Sequence, residues 1–388
     1  MSDVSFPADQ LQANPSAVGQ KPARHVAIYL HTFFNGGIER VMLSLANVMV
    51  AQGVKVDLVV NFVGFSPMWK DIPPSISVID LGANRLRWRL PRLLRYIRTS
   101  KPDCILTATH LSHEIAILAK LLSGNKPRVV VSEHSSLSGE FKNSQRSSRT
   151  LAVLWLGRLM YRFADEIISV SEGVRQDVQK LFRLRPDKCL TIYNPVDLKH
   201  ILASGEEPVD HPWFQPGAPP VIVSIGRLAK QKDFPNLLDA FAIVRKSHDV
   251  KLAILGEGTE RRALTAKIEE LGLGDHVWMP GFVSNPYPYL KRGTLFALSS
   301  AWEGFAIAIA EALAFKLPVV STDCPSGPSE ILKGGEYGIL VPVNDSEALA
   351  EGISRVLRGE RKHIPEDALA PYTVESVADQ YLKALFPA

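Results

Sequence analysis

The chain is poor in cysteine, in long apolar runs and in the short signatures of several enzyme classes. Its three cysteines, Cys104, Cys189 and Cys324, lie far apart. An odd, scattered set without a CxxC pair argues against a disulfide framework or a zinc ribbon and points to a reducing compartment. No stretch of about 18 uncharged apolar residues occurs, so no membrane-spanning helix is expected. Residues 1–24 lack an apolar signal-peptide core and read as a polar, flexible tail. GxSxG, HExxH, DxD and the phosphate-loop pattern GxxxxGKS/T are all missing. His110 and His113 form HxxH without a partnering Cys/His set, so neither a metal site nor a cofactor is expected.

What is present belongs to a globular protein of two domains. The chain has 388 residues, of which 46% are hydrophobic and 22% charged, enough apolar material for two cores. Charge is divided unevenly: residues 1–200 hold 26 Lys+Arg against 16 Asp+Glu, and residues 201–388 hold 18 against 24. The front half is therefore +10 and the rear half −6. A basic surface suits nucleic acid, anionic lipid or a phosphorylated substrate. Nucleic acid is disfavoured, because no aromatic stacking pattern accompanies the basic residues beyond Trp88 and Tyr96.

Short apolar runs alternate with helical periodicity throughout. Strands are expected at 25–30, 54–60, 104–108, 129–132 and 166–171, then at 220–226, 251–256, 294–300 and 317–322. Helices are expected between them, including 111–122, 149–163, 172–182, 259–271 and 304–314, with a late one over 345–358. Nearly continuous apolar strands alternating with helices predict parallel sheets covered on both faces. The fold class is α/β, with a tail (1–24), a Rossmann-like domain (25–197), a linker (198–219) rich in proline and glycine, and a second Rossmann-like domain (220–388) whose last helix returns to the first. Ligands of such sheets bind at the carboxyl ends of the strands, which places the site in the cleft between the domains.

Several residues stand at those strand ends. Glu303 follows one strand and Glu311 lies two turns into the next helix, roughly 12 Å away at 1.5 Å per residue. That span suits two hydroxyl-rich parts of one extended ligand better than a glycosidase pair at about 5–10 Å. Arg227 and Lys232 leave one strand-end loop just before a helix, a good receptor for a diphosphate. Gly256-Glu257-Gly258 lets backbone approach a ligand or makes a tight turn; the third glycine of a dinucleotide fingerprint is missing. Gly36-Gly37 is the equivalent βα junction of the front domain, and His134 closes the strand ending Ser132-Glu133.

Taken in order, the segments 35–46, 132–134, 168–178, 191–197, 224–234, 254–264, 279–284, 299–323 and 338–353 resemble the retaining glycosyltransferases of family 4, which have the GT-B fold of two Rossmann-like domains facing across a cleft. The resemblance covers about residues 25–360. It implies a catalytic set of Glu303, Arg227, Lys232 and His134. Arg227 and Lys232 would hold the diphosphate of a nucleotide-sugar, Glu303 the hydroxyls of the transferred sugar, and His134 would face that sugar. For the donor it implies Glu311 on the ribose, backbone around Phe282 and Val283 on the base, Phe305 and Ala306 lending backbone to sugar or phosphate, and Gly37 closing over the diphosphate; Gly258 belongs to the same donor loops. Two departures stand out. Gly304-Phe305-Ala306 replaces GFG, and Cys324-Pro325-Ser326-Gly327-Pro328-Ser329-Glu330 replaces the usual GG, a variant that looks like bacterial transferases building surface polysaccharides or lipid-linked oligosaccharides.

The expected activity is transfer of a hexose or N-acetylhexosamine from a nucleotide-sugar, UDP-linked, to a glycan acceptor. Cationic side chains would do what a metal does elsewhere, so the reaction is expected to be metal-independent. A sugar-nucleotide 2-epimerase or a non-catalytic sugar-nucleotide sensor on the same fold is the alternative. Residues 85–98 hold six arginines, among them Arg85, Arg87, Arg89 and Arg92, with Trp88 and Tyr96. Leu86, Leu90, Leu93, Leu94 and Ile97 fall on one helical face, and Pro91 is expected to shorten the helix. This is the make-up of a helix on an anionic bilayer, or of a surface helix packing its leucines inward. It predicts a cytoplasmic protein held peripherally on the inner face of the membrane, with a lipid-linked acceptor.

Overall fold

The computed structural model describes residues 24–33, 36–64, 66–143 and 155–387. The expected tail, apart from Arg24, lies outside these residues, as do Asn35 and the start of the helix expected over 149–163. One sheet is built from β1 (His25–Leu30), β2 (Lys55–Val60), β3 (Ser77–Asp80), β4 (Cys104–Thr107), β5 (Arg128–Glu133), β6 (Glu166–Ser169) and β7 (Cys189–Thr191), in the order β3-β2-β1-β4-β5-β6-β7. The second holds β8 (Val221–Ile225), β9 (Lys251–Leu255), β10 (Val277–Gly281), β11 (Leu295–Leu298), β12 (Val319–Thr322) and β13 (Ile339–Val341), in the order β10-β9-β8-β11-β12-β13. Every strand pairing within both is parallel. These are two Rossmann-like sheets, as the strand–helix alternation predicts. Strand order reverses between β1 and β4 and between β8 and β11. Such switch points open a crevice outside the carboxyl ends, and the chain places Gly36-Gly37, His110, Arg227 and Glu303 beyond those four strands.

Four strands were not evident from the apolar runs: β3, β7, β10 and β13. They are the four sheet edges. Residues 198–219 are more ordered than a linker, with a helix at Leu198–Ser204 capped by Asp197, whose side chain accepts from His200 N at 3.0 Å. The final helix, Val374–Leu385, packs on the helix Gly37–Ala51 of the first domain. Its Tyr381 hydroxyl meets Ser132 Oγ at 2.8 Å, and its Ala384 carbonyl accepts from Arg128 Nε at 2.9 Å. The chain thus crosses between domains twice.

The arginine-rich helix runs unbroken from Leu86 to Ser100 with Pro91 inside it. Pro91 does not shorten it; it sits exposed within the continuous helix. Leu93, Tyr96 and Ile97 are buried. Tyr96 is therefore not an interface residue: its hydroxyl donates to Asp57 Oδ2 at 2.6 Å. Arg92 is tied down as well, donating to the Leu81 carbonyl at 2.6 Å. Leu86 and Trp88 in the first turn remain 56% and 47% exposed. No helix among the described residues is long and apolar enough to cross a membrane.

Candidate active site

At the β8/β11 switch point a cation and a carboxylate meet. Lys232 Nζ lies 2.6 Å from Glu303 Oε1, and the same oxygen accepts from Ser300 Oγ at 2.6 Å. Gln231 Nε2 braces the loop by donating to the Trp302 carbonyl at 3.1 Å. Glu303 is only 5% exposed. A carboxylate so enclosed persists because it is both paired and hydrogen-bonded. Arg227, from the loop after β8, is exposed. The glycines of the neighbouring loop have a packing duty: a Cβ on Gly256 would lie 1.9 Å from the Gly226 carbonyl, and one on Gly258 would lie 2.3 Å from that of Leu228. They let the loops after β8 and β9 stack backbone to backbone, which accounts for Gly258 without a ligand.

The next helix, Ile307–Ala314, begins after Ala306, whose φ of 60° is left-handed, and has no side-chain cap. Phe305 is 2% exposed, its ring packed on Tyr193 and Tyr372 at centroid distances of 5.7 and 5.3 Å. The anchored ring fixes the loop and leaves the first N–H groups of the helix uncapped for an acceptor oxygen. On that helix burial pushes the Glu311 carboxyl up to about 7, opposed by Arg40 and by the Tyr287 hydroxyl, which donates to Oε1 at 3.3 Å. Arg40 belongs to the other domain, in the first turn of the helix that starts at Gly37. Sequence reasoning missed Arg40; its place three residues after Gly37 was the available signal. A Cβ on Gly37 would meet nothing within 4 Å.

The domains touch at small residues. A Cβ on Gly304 would lie 2.0 Å from the His134 carbonyl, one on Gly139 2.7 Å from the Trp302 side chain, and one on Gly173 2.7 Å from Ser326 Oγ. Gly304 therefore seats His134 beside Glu303. Burial pushes the His134 imidazole down to about 4, so it is neutral at pH 7. Its Nε2 meets Ser132 Oγ at 2.9 Å, and the Asn194 side chain is a hydrogen-bonding neighbour of the ring that opposes the shift. The segment 324–330 completes the contact. Pro325 O accepts from Glu303 N at 3.0 Å, and Glu330 accepts from the backbone N–H groups of Glu172 and Gly173 at 2.7 and 3.0 Å. Glu330 thereby caps a helix of the first domain.

Other expected residues stand apart from this centre. Phe282 is 54% exposed just past β10, and Val283 is half-buried beside it. Arg85 and Arg87 are exposed at the start of their helix. Arg89 is half-buried and its charge reaches Tyr29 and His31 at the end of β1; its Nε is buried with no partner among the described residues. The HxxH pair, read from sequence as lacking a partner, meets Glu133: ligand atoms of His110, His113 and Glu133 lie within 4.8 Å of one another.

A family model described as "Glycosyltransferase Family 4" matches residues 35–200, and one described as "Glycosyl transferases group 1" matches residues 209–369. The chain belongs to the family 4-type glycosyltransferases. The transferase is 35% identical over 247 residues to N-acetylgalactosamine-N,N'-diacetylbacillosaminyl-diphospho-undecaprenol 4-alpha-N-acetylgalactosaminyltransferase of Campylobacter jejuni; the match spans 64% of this chain and 65% of that relative, just under two thirds of its length. It is 25% identical to the lipopolysaccharide 1,6-galactosyltransferase of Salmonella typhimurium, over 79% of each chain. In fold it matches Anabaena HepE, solved in complex with UDP and glucose, with a TM-score of 0.75 and 21% identity over 94% of this chain and all of that one. The fold is GT-B.

Proposed function

We propose that this glycosyltransferase moves a hexose or N-acetylhexosamine from a UDP-sugar to a lipid-linked glycan, with retention, in the assembly of a polysaccharide or glycoconjugate. The observation that carries the reading is the buried Lys232–Glu303 pair beside Arg227, closed from the other domain by His134 on Gly304. As the sugar–phosphate bond breaks, negative charge grows on the leaving diphosphate. Arg227, Lys232 and the uncapped start of the helix Ile307–Ala314 stabilise it, without a metal ion at that position. Hydroxyls of the sugar take over the Glu303 carboxylate and free Lys232 for the diphosphate. Glu311 accepts from the ribose, and His134 with its neighbour Asn194 faces the sugar. The acceptor oxygen attacks the same face that the diphosphate leaves, and its proton passes to the leaving phosphate oxygen. The domain contact excludes water and so favours transfer over hydrolysis.

The UDP donor is suggested by the UDP held in HepE, and the lipid-linked acceptor by the diphospho-undecaprenol substrate of the Campylobacter jejuni relative. The exposed Leu86, Trp88, Arg85 and Arg87 suit attachment to an anionic inner leaflet. The test is a panel of UDP-, GDP- and ADP-sugars with and without an undecaprenyl-diphosphate-linked saccharide. UDP release that needs the acceptor, and a product whose NMR coupling shows the donor's anomeric configuration, are expected. Donor turnover to a 2-epimer without acceptor, or an inverted product, overturns the reading.

A further inference from the structure

We propose that His110, His113 and Glu133 bind one divalent transition-metal ion, with Zn2+ the best fit, behind the cleft wall that carries His134. The group comes from two adjoining strand ends. His110 follows β4, His113 lies in the first turn of the helix Ser112–Ser123, and Glu133 closes β5. His113 and Glu133 are 1% and 2% exposed.

The separations decide between hydrogen bonding and shared coordination. His113 Nε2 is 3.5 Å from Glu133 Oε1, and His110 Nε2 is 3.7 Å from Oε2. A charge-assisted N–H···O bond spans about 2.7–2.9 Å, so both gaps are too wide. A tetrahedral zinc with bonds of about 2.0–2.2 Å separates two of its ligands by about 3.3–3.5 Å; the two gaps, one to each carboxylate oxygen, lie near this, and with one atom from each residue the three lie within 4.8 Å of one another. One of the ligand atoms, His110 Nε2, is buried without a hydrogen-bond partner among the described residues. Nearby, Oε2 of Glu114, a residue 7% exposed, is likewise buried and unpartnered, and its charge acts on both His110 and Glu133.

The surroundings are those of an outer shell that orients ligands. Thr107 Oγ1 bonds to His113 Nδ1, which leaves Nε2 facing the carboxylate, and the Tyr161 hydroxyl donates to Glu133 Oε1. Leu111, between the two histidines, has a left-handed φ of 64°. Two further carboxylates, Glu114 and Glu140, act on the site electrostatically. Three protein ligands leave a fourth position open. The ion would pin the loop after β4 to β5 and hold the Glu133-His134 turn, so it would position His134 without touching the leaving group.

The full chain, stripped with a strong chelator and dialysed, is titrated with ZnCl2. About one zinc per chain by elemental analysis is expected, with a rise of several degrees in the melting temperature that MgCl2 does not reproduce. Glu133→Gln, an isostere, and His110→Ala, whose ring is 34% exposed, should each lose both responses. If Glu133→Gln fails to fold, His110→Ala carries the test. A wild-type chain that binds no zinc above the blank overturns the proposal, as does a His110→Ala chain that binds as much as wild type.

Discussion

Replacing Lys232 by alanine removes two interactions, and they can be measured separately. In the ligand-free protein Lys232 neutralises Glu303 at 2.6 Å, with side chains only 16% and 7% exposed. Breaking a buried pair from one side typically costs about 3–5 kcal/mol, because the other charge is left unpaired; the Ser300 hydroxyl on the same oxygen moves the expectation to the lower end. In the transition state Lys232 is assigned to the leaving diphosphate, where losing one such group costs about 2.7–4 kcal/mol, or about 10²–10³ in kcat. The two effects separate in Lys232→Ala/Glu303→Gln. The neutral amide removes the stranded charge, so the melting temperature should recover, while turnover stays low because the leaving group still lacks its cation. The assays are thermal unfolding and acceptor-dependent release of nucleoside diphosphate, made on the single and the double variant. A folded Lys232→Ala chain with near wild-type turnover would refute the leaving-group role. A double variant no more stable than the single would refute the stability argument.

Three further outcomes are expected. Burial holds the Glu311 carboxyl near 7, so in the free protein its protonated form is favoured, and stability from this group is lost as pH rises through that value. Ribose hydroxyls donate to the ionised form, so donor KM should fall as pH rises from about 6 to about 8, and Glu311→Gln should flatten that profile; an unchanged profile in the variant would remove Glu311 from the donor site. Gly304→Ala would put a methyl 2.0 Å from the His134 carbonyl and force the domains apart by more than an ångström, so kcat should drop about 10²-fold with the melting temperature nearly kept; wild-type turnover would show that this contact is not used in catalysis. The exposed Leu86 and Trp88 should bind vesicles containing anionic lipid at low salt, and Leu86→Asp/Trp88→Asp should abolish co-sedimentation; a wild-type chain that sediments with neither anionic nor neutral vesicles leaves a soluble acceptor.

Periodicity alone determined the central strands and their helices. His25–Leu30 is apolar over most of its length because a parallel strand covered on both faces admits little else, and all six residues are buried. The edge strands were not legible for the converse reason. Ser77–Asp80 and Cys189–Thr191 are half-covered, and their mixed composition matches a loop as well as a strand. Spacing also placed Arg227, Lys232 and Glu303 at strand ends and Glu311 in the helix that follows, since the switch-point rule needs only the order of elements. Tertiary structure decided which of them meet. The Lys232–Glu303 pair joins two loops 71 residues apart, and Arg40 reaches Glu311 only because the domains face each other. Leu93 and Ile97 went into the core while Leu86 stayed out, although one helical face holds all three: the helix packs against its neighbours along its later turns, and its first turn overhangs them. Glu133 completes the His110–His113 cluster because parallel β4 and β5 bring their carboxyl ends side by side, a proximity that neighbourhood along the chain cannot express.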